Sequence, residues 1–104
     1  MKITIHFPPL MNMYHREVIE ITDPLTLEKT KNFVFKKFQQ DMINLFHFSH
    51  PINGSGRDVI LKERGVVIYS ENQWNSLPLQ MATIEASFED NPLTRVSDSY
   101  SLIE

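Results

Sequence analysis

The sequence predicts an α+β domain in which one long helix covers one face of a mixed sheet. Three observations carry that reading. Short stretches near both ends alternate apolar and polar residues, one long amphipathic stretch lies between them, and a polar loop separates that stretch from the later strands. Period-2 alternation puts one apolar face on a sheet, and a 3.6-residue period puts one apolar stripe on a helix. Each must be covered, and stacking the two is the smallest solution.

In residues 2–7, Ile3, Ile5 and Phe7 alternate with Lys2, Thr4 and His6, and Pro8-Pro9 ends the strand because proline donates nothing to a ladder. Residues 17–22 alternate again, with Ile19 and Ile21 on one face, so the two strands are expected to pair as an antiparallel hairpin. The loop between them holds Leu10, Met11, Met13 and Tyr14, either folding back over the core edge or offering a binding surface. Asp23 (with Pro24 following) and Thr26 are rival caps for the helix. Its stripe is Leu27, Val34, Phe35, Phe38, Met42, Leu45 and Phe46. Lys31 intrudes on the stripe and is expected to snorkel from it. Lys29, Lys36, Lys37, Gln40, Asp41 and Asn44 are assigned to the opposite side, while Phe33 and Ile43 lie outside the stripe. Residues 47–58 read as a loop, 59–62 and 66–69 as strands parted by a Glu63-Arg64-Gly65 turn, and 83–88 as the last strand. Residues 70–76, around the single tryptophan, read as a polar stretch. The domain is placed at 1–90, with 91–104 as a C-terminal tail.

Composition narrows the function. A chain of 104 residues has room for one core. A net charge of −3 gives no general drive toward nucleic acid, whose binding rests on Lys and Arg neutralising phosphates. The absence of cysteine removes disulfides, thiolate zinc sites and a cysteine nucleophile together, and fits a reducing cytoplasm. No apolar run approaches the ~18 residues that cross a bilayer, and no signal peptide is read at the N-terminus.

Lys2–Leu10 (KITIHFPPL), an alternating strand running into a proline turn, together with Leu77-Pro78-Leu79 before Thr83–Phe88, resembles the β-grasp (ubiquitin-like) fold. The nearest likeness is to its sulfur-carrier branch, the small subunit of molybdopterin synthase and the thiamine-pathway carrier. That resemblance, over residues 1–89, implies a two-layer β-grasp domain and a C-terminal Gly-Gly whose carboxylate is adenylated and converted to a thiocarboxylate. This chain departs from it where the chemistry lies. Its glycines are Gly54, Gly56 and Gly65, and it ends Ser101-Leu102-Ile103-Glu104. Gln80-Met81-Ala82 also replaces the glycine-and-acid turn usual in the family. Carrier activity is therefore not expected.

The remaining constellations are thin. His47 and His50 are weak metal candidates, two ligands where catalytic zinc needs about three. Asn53-Gly54-Ser55-Gly56 before Arg57 lacks the spacing of a phosphate cradle. Ser70, Ser76 and Ser87 sit in no nucleophile elbow, and Glu17 and Glu20 fall on opposite faces of their strand. Trp74 either packs on the sheet edge or serves as an exposed anchor. The sequence thus points to a non-catalytic accessory module binding a protein partner through Met11, Met13, Tyr14 and Trp74, with no catalytic residue and no cofactor expected. A sulfur carrier, or a small metal-dependent enzyme using the 47–58 loop, is the alternative.

Overall fold

The computed structural model describes residues 1–7, 14–23, 25–47 and 54–88. The elements run β1 (Lys2–His6), β2 (Arg16–Glu20), α1 (Leu27–Phe46), a 3₁₀ turn (Gly56–Asp58), β3 (Val59–Glu63), β4 (Val66–Val67), α2 (Glu71–Asn75) and β5 (Thr83–Phe88). The five strands form one mixed sheet in the order β2-β1-β5-β3-β4. Only β1 and β5 are parallel, and the β1–β2 hairpin is antiparallel as expected, with Ile3 opposite Ile19. The α+β arrangement of one main helix on a mixed sheet is therefore present.

Alternation decides the two faces of the sheet. Ile3, Ile5, Phe7, Val59, Leu61, Ile84 and Ala86 are buried beneath α1, while Lys2, His6, Thr83 and Glu85 face solvent. The helix answers with Leu27, Val34, Phe35, Phe38 and Met42, all buried. Phe38 sits at the centre of an aromatic cluster, its ring 5.4 Å from Phe7 and 4.4 Å from Phe88. The side chains of Leu45 and Phe46, and the expected tail 91–104, lie outside the described residues. No described helix is long and apolar enough to cross a membrane.

Local chemistry sets the boundaries. Of the rival caps, Thr26 is the one used, its hydroxyl accepting from the Lys29 amide at 3.2 Å. The helix ends in a left-handed cap at His47, whose amide donates to the Met42 and Ile43 carbonyls. Between β3 and β4, Arg64 and Gly65 both take positive φ (51° and 79°), as a two-residue type I′ hairpin turn requires. β4 is shorter than expected, although Ile68 still donates to the Leu61 carbonyl at 2.9 Å.

Two expectations need correction. Residues 70–76 are not a featureless polar stretch, because Ser70 and Gln73 form a reciprocal capping box that starts α2. Asp41 does not lie on the solvent side of α1. It is 6% exposed, seven residues after Val34 and so on the same helical face.

Candidate functional site

Sequence reasoning named four partner-binding residues, and the structure separates them. Tyr14 stands 84% exposed just before β2, whereas Met11 and Met13 lie outside the described residues. Trp74 takes the packing reading and is corrected as an anchor. It has no exposed surface, and its indole N–H donates to the Leu25 carbonyl at 2.8 Å. Of the histidines, His47 is the exposed helix cap and His50 lies outside the described residues.

The 54–58 segment packs against α1. Ser55 and Asp58 cap one another, with the Ser55 amide donating to Asp58 Oδ2 at 3.0 Å. Gly56 is there because the segment touches the helix backbone: a Cβ would stand 2.7 Å from the Asn32 amide nitrogen and 2.9 Å from the Lys31 carbonyl carbon. Gly56→Ala is expected to destabilise the domain by about 1–2 kcal/mol, because helix backbone cannot yield as a side chain can. A urea midpoint unchanged from wild type would contradict that contact.

This packing brings Arg57 alongside Lys31, and the end of the β3–β4 hairpin adds Tyr69. A groove of about 270 Å³ lies between them, lined by Leu27, Glu28, Lys31, Asn32, Gly56, Arg57 and Tyr69, with Glu71 on its rim. A second hollow of about 230 Å³ shares Lys31, Arg57 and Tyr69 with it. Tyr69 is 81% exposed. Glu71 is occupied: its carboxylate accepts from the Leu27 and Glu28 amides at 3.0 and 3.2 Å, capping α1 from outside. Neither Lys31 nor Arg57 makes an ion pair among the described residues. The groove therefore brings two cations and an aromatic surface together, with the carboxylate of Glu28 also in its lining. Nothing in the sequence marked it, since its residues come from three separate segments.

A second cluster joins β2 to α1. Lys37 Nζ lies 3.2 Å from Glu17 and 3.5 Å from Asp41, and donor atoms of His15, Glu17 and Asp41 all fall within 4.8 Å of one another. The Lys37 ammonium is already within ion-pair distance of both carboxylates and supplies a positive charge to the cluster. Burial, reinforced by Glu17, pushes the Asp41 carboxyl up to about 6. The hydrogen bond with Asp41, with help from Lys37, draws Glu17 below its ordinary range against the effect of burial. Asp41 Oδ2 is buried without a hydrogen-bond partner among the described residues, and that desolvation is what raises this carboxyl. Lys37, held by Glu17, is raised in turn. The cluster ties strand to helix.

Compared with known proteins, the chain matches no family model, no curated protein and no solved structure. Fold and surface together define a small α+β domain with an open groove, lined by Lys31, Arg57, Tyr69 and Glu28 among others, at one edge of its sheet.

Proposed function

We propose that this chain is a non-catalytic, β-grasp-like module that binds a protein partner, as a small accessory subunit of a larger assembly. The strand order β2-β1-β5-β3-β4 with one helix across the sheet is compatible with that fold. The observation that carries the reading is Tyr69, 81% exposed at a groove whose two cations, Lys31 and Arg57, have no ion-pair partner among the described residues. Exposed aromatics beside arginine are the composition of binding anchors. The complementary partner presents a carboxylate next to an apolar side chain. Tyr14, exposed just before β2, is the described member of the loop that the sequence suggested, and belongs to the same proposal.

A photo-crosslinking amino acid placed at 69, at 14, or at the solvent-facing position of Thr83 tests this in the cells that make the protein. One defined adduct is expected from position 69, and Arg57→Glu should lower its yield about tenfold or more by reversing the charge that meets the partner. An adduct from position 14 and not 69 would move the interface to the N-terminal surface. Equal, heterogeneous adducts from 69, 14 and 83 would overturn partner binding.

A further inference from the structure

The outer edge of β2 carries a charge pattern complementary to itself. Among the described residues β2 has β1 on one side and no strand on the other. The hydrogen bonds from Phe7 N–H to the His15 carbonyl (3.0 Å) and from Ile21 N–H to the Met1 carbonyl (2.9 Å) fix which residues point inward. His15, Glu17, Ile19 and Ile21 spend their backbone groups on β1, so those of Arg16, Val18 and Glu20 point away from it. These three side chains are also exposed, Val18 at 53%. At the other edge of the sheet β4 is only two residues long, which makes β2 the longer template.

We propose that two copies of this chain pair antiparallel through β2, about a two-fold axis passing through Val18. In that register Val18 meets Val18 of the second copy, and Arg16 meets Glu20 at both ends of the strand. All three outward-facing residues then fall in hydrogen-bonded positions. A slip of two residues keeps the backbone bonds possible but sets Arg16 against Val18 and leaves Glu20 facing Tyr14, losing both charge pairs. A slip of one takes the outward groups out of phase altogether. The charges therefore choose one register, and the contact is isologous and closed, so it makes a dimer rather than a fibre. Neither Arg16 nor Glu20 makes an ion pair within the described residues, so both are available. Because β2 and β4 are opposite edges of the sheet, the dimer joins two sheets into one and leaves a cation-lined groove at each far end. This inference stands independently of what those grooves bind.

Sedimentation equilibrium of the full chain from about 1 μM to 1 mM covers the affinity that a single strand pair would supply. The wild type is expected to approach twice the 12.2 kDa chain mass. Arg16→Glu and Glu20→Arg each set like charges opposite one another at two positions, and each should weaken association about tenfold or more. Mixing the two variants is the decisive arm. In the mixed pair every contact at these positions joins opposite charges again, so the mixture should dimerise while each component alone stays monomeric. Circular dichroism of the variants confirms that the fold is retained, as expected for exposed edge positions. A monomeric wild type across the whole range would overturn the proposal. So would a wild-type dimer indifferent to both reversals, or a mixture no more associated than its parts.

Discussion

Trp74→Ala is expected to cost the domain about 3–5 kcal/mol, a large share of the roughly 5–15 kcal/mol that holds a domain of this kind together. Trp74 is the largest fully buried side chain, and it belongs to a helix of five residues that could not persist alone. What holds α2 in place is this side chain, through its burial and its indole bond of 2.8 Å to the Leu25 carbonyl. The consequence reaches α1, because α2 also carries Glu71, whose carboxylate satisfies the Leu27 and Glu28 amides at the start of the long helix. Removing the indole therefore opens a cavity and loosens a cap at the same time. Trp74→Phe separates the two contributions: it keeps most of the bulk and leaves the Leu25 carbonyl without its donor, for about 1–2 kcal/mol. Unfolding should be followed by circular dichroism, since the chain has no other tryptophan to report by fluorescence. A Trp74→Ala midpoint close to the wild-type value would mean that the indole is not in the core.

The contrast between Trp74 and the strands shows what the sequence could and could not express. Alternation is a local property, so the edges of β1, β3 and β5 fall within a residue of where the period places them. The position of Trp74 depends on a partner, Leu25, that lies 49 residues away along the chain. Its helix was nevertheless signalled locally, by Ser70 and Gln73 at capping-box spacing. Asp41 was legible too, since an interval of seven residues from Val34 returns to the same face. It was assigned to solvent because a carboxylate is seldom buried, and what makes burial possible, Lys37 and Glu17, is partly on another element. The groove was illegible for the plainer reason that α1, the 54–58 segment and the β3–β4 hairpin converge only in three dimensions.

Asp41 sets the strongest expected dependence on pH. In the folded chain its carboxyl keeps its proton up to about 6, whereas the ordinary value of 3.8 applies when the chain unfolds. Between those values the folded state binds the additional proton, so stability falls as pH rises through about 6 and stays lower above it. Glu17 acts in the opposite sense on the acid side. Its folded value lies below the ordinary 4.5, so its contribution is present above that pH and is lost as pH falls through the lowered value. The two together place maximum stability at about pH 4, with the Asp41 contribution lost by about pH 6. Asp41→Asn isolates the first effect, because the amide fits the same space, donates to Glu17 and carries no charge to bury. At pH 8 this variant should be more stable than the wild type by roughly 2–3 kcal/mol, the equivalent of a shift of about two pH units. Near pH 4, where wild-type Asp41 is protonated in the fold, the difference should shrink toward zero. Urea unfolding of both chains at the two pH values measures this directly. A wild type that gains stability from pH 5 to pH 8, or an Asp41→Asn chain no more stable than wild type at pH 8, would show that the buried carboxylate is fully compensated by Lys37.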